Sequence, residues 1–152
     1  MIVEQIKAEL LQTCKTIVDN RFIKVKQTIA DIEESMLGED KSSAGDKHET
    51  GRAMLQIDRE NAGKQLSEIE KLKQLYKLID IKATSDYARL GSLINTNHAY
   101  FFISLSVGAV MVNKTNYLCV ALNSPIGVQL SGKRKGDSFV FNEKEYLVTS
   151  VK

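Results

Sequence analysis

Two long apolar stripes at helical spacing constrain this chain more than any other feature. In the first, Val3, Ile6, Leu10 and Cys14 are followed by Val18, Phe22, Val25, Ile29, Ile32 and Met36. Steps of three and four dominate, which is the period of one helix face. Gly38 lies just beyond and supplies a stop. The polar stretch GEDKSSAGD then leads to a second stripe through Met54, Leu55, Ile57, Ala62, Leu66, Ile69, Leu72, Tyr76 and Ile79. A single helix cannot bury so narrow a stripe. Folding back into an antiparallel hairpin, a two-stranded coiled coil, buries both at least cost. Asn61 and Gly63, with Thr50 and Gly51, are poor interior helix residues, so the tip is expected to be less regular than the shaft. Lys24, Lys26, Arg59 and Lys64 read as solubilising charge on the flanks.

Texture and charge both change near IKATSDYARLG. Residues 1–80 carry 13 bases and 15 acids, whereas residues 81–152 carry 8 bases and 4 acids. The acidic half is the helical one, and the basic half is rich in β-branched and aromatic residues. The organisation expected is therefore a hairpin over 1–80 and a compact domain over 88–152. The whole chain has a net charge of only +2, which makes no strong case for binding free nucleic acid. The start, MIVEQIKAEL, lacks a signal-peptide core, and FFISLSVGAVMV is too short to span a bilayer. A cytoplasmic protein without a membrane partner is expected. Cys14 and Cys119 are far apart and form no CxxC pair, so each reads as a small buried hydrophobe in a reducing compartment.

In the second half, SLI, YFFISL and NYLCVAL have the apolar and aromatic density of strands. Ser124 can cap a short helix that starts at Pro125, buries Ile126 and Leu130 together and stops at Gly132. KRKGD makes a basic turn, and SFVF and EYLVTSV form a hairpin joined by NEK. A small antiparallel sheet packed against one short helix accounts for these pieces, with Tyr100, Phe101, Phe102 and Phe139 in its core.

Asp46 and Glu49 stand three apart between Gly45 and Gly51. If residues 46–49 form a first helical turn, both carboxylates lie on one side and can share a hard cation such as Mg²⁺. Two carboxylates do not complete its octahedral shell, so waters or a partner's carboxylates and phosphates would supply the rest. A capping role, with Asp46 as N-cap and Glu49 at the third helical position, explains the same pair. His48 reads as a surface residue. SSAGDK is not a phosphate-binding GxxxxGK[ST] loop. Lys133, Arg134 and Lys135 form the densest basic patch, too small alone for a stable nucleic-acid footprint.

The order of these pieces resembles the Gre family of bacterial transcription elongation factors over most of the chain. GDKHET, residues 45–50, is similar to that family's GD-x-x-EN tip. NSPIGVQLSGKRKGDSF, residues 123–139, is similar to its short helix and GKKxGD turn, and LGSLI, residues 90–94, resembles the opening of the same domain. The resemblance implies an α+β fold, with an N-terminal antiparallel coiled-coil hairpin followed by an FKBP-like domain. It implies a monomeric accessory factor that enters the secondary channel of bacterial RNA polymerase core and meets nascent RNA there. Asp46 and Glu49 would be the catalytic positions, holding Mg²⁺ jointly with the polymerase for cleavage of backtracked RNA. Lys133, Arg134 and Lys135 would help dock the factor. The tip departs from the family in Thr50, Gly51, Arg52 and Ala53, where A-E-Y commonly follows an Asn, and in the inserted-looking GEDKSSA. Those departures motivate two alternatives: a channel regulator that does not cleave, and a coiled-coil interaction protein without polymerase.

Overall fold

A computed structural model describes residues 2–41 and 46–152, with side chains outside 39–50. Helices α1 (Val3–Lys41) and α2 (Asp46–Leu78) come first. Six strands follow: β1 (Leu93–Thr96), β2 (Tyr100–Ile103), β3 (Gly108–Val112), β4 (Thr115–Val120), β5 (Ser138–Phe141) and β6 (Lys144–Val151). A short helix, α3 (Pro125–Leu130), lies between β4 and β5. The class is α+β, as expected. The chain divides into two compact units, Val18–Gln74 and a second made of Met1–Ile17 with Leu75–Lys152.

In the unit Val18–Gln74 the two helices pack against each other. Val18, Val25, Ile29, Ala62 and Ile69 are buried. Glu33 meets Arg59, and Phe22 meets Lys73, so the later part of α1 lies beside the earlier part of α2. The seam of α2 runs through Leu55, Arg59, Ala62, Leu66, Ile69, Lys73 and Tyr76, in alternating steps of four and three. Met54 and Ile57 fall out of this phase and are 62% and 57% exposed, contrary to their expected place in the stripe. Two seam positions are thus held by cations. Arg59 Nε donates to Glu33 Oε1 at 3.1 Å, and Lys73 Nζ stands 3.7 Å above the centre of the Phe22 ring. Their methylene stems cover apolar surface while their charged heads keep polar or aromatic partners.

The glycines do not interrupt these helices. α1 runs past Gly38 to Lys41 instead of stopping there, and α2 is helical from Asp46 through Gly51 and Gly63. One interior glycine costs about 1 kcal/mol relative to alanine, which cooperative helix propagation and packing override. Thr50, Gly51, Asn61 and Gly63, where a less regular tip is expected from sequence, are all helical, and residues 42–45 lie outside the described residues.

In the other unit, the strands form one six-stranded sheet in the order β3-β4-β2-β1-β6-β5. The sheet is mixed, which corrects the expectation of a purely antiparallel one. β2 and β4 run parallel, with Phe102 beside Cys119, while the other neighbouring pairs are antiparallel. The reason lies in burial. β4 is apolar on both faces: Tyr117 and Cys119 are buried on one, and Leu118 and Val120 pack into a core cluster on the other. β3 presents exposed Gly108, Ala109 and Met111 and suits an edge. Asn113 and Lys114, at φ 49° and 66°, fold β4 straight back along β3 in a two-residue turn. β4 therefore takes the interior place beside β2, and the parallel pair follows.

Ala88, Ile94, Phe101, Ile103, Leu130, Phe139 and Val148 form the core on one face of the sheet. Leu130 comes from α3, whose sequence signals act as expected. Ser124 is the N-cap, and its Oγ accepts from the Gly127 amide at 3.1 Å and donates to the Ala121 carbonyl at 2.7 Å. On the opposite face lie Leu93, Phe102, Ser104 and Cys119, and Cys14 of α1 reaches Ser104. Phe101, Phe102 and Phe139 are core residues, but Tyr100 is 38% exposed at the start of β2, where it meets the Tyr117 ring.

Two glycines in the motifs singled out from sequence have steric causes. Gly91, in LGSLI, has φ 90°, and a Cβ there would lie 2.8 Å from the Asp80 carbonyl oxygen. Gly127, in SPIGVQL, brings α3 against the end of β4. A Cβ there would lie 2.0 Å from the Ala121 carbonyl oxygen and 2.8 Å from that of Leu122.

Candidate functional site

Helix α2 opens at Asp46, so Asp46 and Glu49 share its first turn. Positions 46 and 49 stand three apart, less than one turn, along the helix backbone. The peptide dipoles favour negative charge at this end. The side chains of Asp46, His48 and Glu49 lie outside the described residues, so no distance between the carboxylates is assigned. Arg52 follows Glu49 by three positions on the same helix and is half-buried. Among the described residues no group of three or more His, Cys, Asp or Glu side chains could hold a metal ion.

The basic turn is built into the sheet unit. Ala88 donates its amide to the Lys133 carbonyl at 2.8 Å, and the Gly132 amide donates to the Ala88 carbonyl at 2.7 Å. The Arg134 amide donates to Asp137 Oδ2 at 2.8 Å, and its guanidinium donates to the Asp86 carboxylate. The same guanidinium stands 5.7 Å from the centre of the Tyr87 ring. Arg134 therefore ties segment 86–88 to the turn after α3. Lys135 is exposed and Lys133 half-buried on either side of it. The geometry leaves a small cationic surface on a rigid support, with one of its three charges already paired.

Two further features surround the packed helices and the sheet. Between α1 and α2, Arg21, Lys24, Lys64 and Glu68 rim an open groove of about 550 Å³ floored by Val25, Ile69 and Leu72. At one end of the sheet, His98, Tyr100, Lys114 and Asn116 border a second open hollow of about 480 Å³. His98 packs edge-on against Tyr146, with centroids 5.3 Å apart. His98 and His48 are on different units, as expected from sequence.

Sequence reasoning passed over one buried charge and one long-range contact. Lys7 lies in the α1 stripe between Ile6 and Leu10 and is only 1% exposed. Burial pushes its pKa below the usual lysine value. The nearby Arg89 charge adds to that, and Asp80 partly opposes it. The contact is between the two thiols, each buried as expected. Cys14 and Cys119, more than a hundred residues apart in sequence, come together with Ser104 beneath α1. No local spacing signals either contact, because each depends on which sheet face receives the helix.

Among the described residues no helix is long and apolar enough to cross a membrane. Comparison of the chain with protein-family models and with curated proteins found no match.

Proposed function

We propose that this chain is an accessory factor of bacterial RNA polymerase that stimulates Mg²⁺-dependent cleavage of backtracked RNA. The observation that carries this reading is the acid pair Asp46 and Glu49 in the first turn of α2, beyond a pair of packed helices. The 33 residues of α2 amount to about 50 Å at 1.5 Å per residue, long enough for a reach into a deep channel. The likeness of GDKHET and NSPIGVQLSGKRKGDSF to the Gre family supplies the partner. In that reading the helices form an antiparallel coiled coil in the polymerase secondary channel, and the FKBP-like domain stays at its mouth. Lys133 and Lys135 contribute to docking there, with Arg134 acting chiefly as their support.

Two carboxylates are hard oxygen ligands that suit Mg²⁺ and are too few to hold it alone. Asp46 and Glu49 would therefore hold it jointly with the polymerase carboxylates and the RNA phosphate. Bound there, the cation would polarise the scissile phosphate and lower the pKa of the attacking water. The tip residues serve to place negative charge where the polymerase site is incomplete and to orient the water. The factor is then not an enzyme by itself, because hydrolysis takes place on the polymerase.

Arg52 favours a second reading, since a cation three positions from Glu49 offsets the negative charge of the tip. In this reading the factor occupies the same channel and regulates nucleotide access without cleavage. Stalled elongation complexes distinguish the two. Wild-type protein should shorten the transcript in Mg²⁺, and Asp46→Asn and Glu49→Gln should each lower the rate about 100-fold or more with binding and Tm retained. If Asp46 is only a cap, Asn replaces it at almost no cost. Wild-type protein that binds and never shortens the transcript selects the regulator.

A further inference from the structure

We propose that Cys14 and Cys119 are the two halves of a reversible internal disulfide, closed by exchange with a low-molecular-weight disulfide. The inference is independent of the polymerase reading. It starts from register. Cys119 on β4 pairs with Phe102 on β2, and Ser104 follows two residues later, just past the end of β2. The Ser104 amide donates to the Val120 carbonyl at 2.8 Å, which fixes the two strands at this point. From α1, Cys14 Sγ lies 3.9 Å from Ser104 Oγ. Ser104 is the diagonal neighbour of Cys119 across the β2–β4 pair, about 7–8 Å away along the backbone, so a side chain touching Ser104 is within reach of Cys119. The two thiols are neighbours beneath α1, each beside Ser104. All three residues are buried, at 0%, 2% and 0% exposure for Cys14, Cys119 and Ser104. The chain has two cysteines in all, so an internal cross-link has a single possible pairing.

The surroundings also assign the two roles. The neighbouring Cys119 thiol pulls the Cys14 pKa below that of an ordinary thiol, and the Ser104 hydroxyl assists. The same contact, reinforced by burial, pushes Cys119 up. Cys14 is thus the attacking thiolate and Cys119 the resolving thiol. In the first step Cys14 gives up its proton, its sulfur bonds to one sulfur of the small disulfide, and one small thiol leaves. In the second, Cys119 gives up its proton, attacks the Cys14 sulfur and expels the second small thiol. The protein loses two electrons and two protons, and the small disulfide gains them as two thiols. Because both sulfurs are buried, exchange passes through transient opening of the contact between α1 and the sheet, and takes minutes to hours. The product staples the foot of α1 to β4 and closes a loop from residue 14 to 119, long enough to restrict the unfolded chain strongly.

The test incubates the full chain in buffers of reduced and oxidised glutathione across a range of potentials. One arm starts from native reduced protein, and a second refolds unfolded protein in the same buffers, so that burial cannot hide the equilibrium. Alkylation counts free thiols, and non-reducing peptide mapping locates the link. The expected result is joint loss of both thiols and a Cys14–Cys119 linked peptide. The protein remains monomeric and its Tm rises by about 5–15 °C, reversibly with dithiothreitol. Cys14→Ser and Cys119→Ser should lose the link. Thiols that persist in both arms would overturn the proposal. So would a glutathione adduct or chain-to-chain disulfide as the end product, or a linked protein with a lowered Tm. The wild-type arms decide the matter even if a serine variant folds poorly.

Discussion

Lys7 is the residue at which ordinary sequence reading and three-dimensional packing diverge most. A lysine between Ile6 and Leu10 looks like the polar flank of a stripe, yet it is buried in the unit that contains the sheet. Its folded pKa is lowered, chiefly by burial and then by Arg89. Below that lowered value the lysine is charged in both states, and folding bears the full cost of burying the charge. Between it and the unfolded value of 10.5 the unfolded chain binds more protons, so stability should rise with pH in this window. Lys7→Met keeps the stem and removes the charge. It should raise stability near neutral pH by about 1–2 kcal/mol, with the gain shrinking as pH approaches 10.5. Urea titrations of both proteins at several pH values check this. A variant less stable than wild type at neutral pH would mean that the buried ammonium is well compensated.

At the scale of elements, α3 shows how a short segment becomes fixed by its neighbours. Six residues cannot hold a helix alone, so its ends and its contact with β4 must supply the stability. Ser124 bonds in both directions, Pro125 is set for the first helical position, and Leu130 is completely buried. Gly127 decides how closely the helix approaches β4. Because an added methyl would lie 2.0 Å from a backbone carbonyl oxygen, Gly127→Ala requires the helix to move. The expected loss is about 3 kcal/mol or more by urea denaturation, with near-native helix content at low denaturant. Gly38→Ala makes a suitable control, because a Cβ there meets nothing within 4 Å. It should be neutral or raise stability by up to about 1 kcal/mol. The contrast explains why α1 runs through Gly38: that glycine lacks a structural duty and is too weak a signal to end a helix.

For the whole molecule, charge is divided between the halves of the sequence, and this bears on the choice of partner. The helical half, residues 1–80, is net −2, and the basic turn has Arg134 already engaged with Asp86. The charge predicts weak binding of free RNA near physiological salt, and the proposed function requires tight binding of RNA polymerase core. Fluorescence anisotropy at matched ionic strength should show at least about tenfold weaker binding to a single-stranded RNA than to core polymerase. Tight, sequence-independent RNA binding without polymerase would place the function in another class.

Periodicity, caps and turn residues are local, and they carried the reading of the elements. The stripes located α1 and α2, Ser124 and Pro125 located α3, and the apolar runs located the strands other than β3, which was not separated from the run before it. The acid pair was legible for the same reason, since spacing along one helix turn needs no tertiary knowledge. What the sequence could not determine are matters of which surface meets which. Exchange of β3 and β4 in the sheet order depends on how much apolar area each position covers, and that choice creates the parallel β2–β4 pair. Met54 and Ile57 look like seam residues, but one heptad phase is selected only when a second helix is present to pack against it. The burial of Lys7 and the meeting of Cys14 with Cys119 arise in the same way. Local rules fix the direction in which a side chain leaves the backbone, and only the assembled fold decides what it finds there.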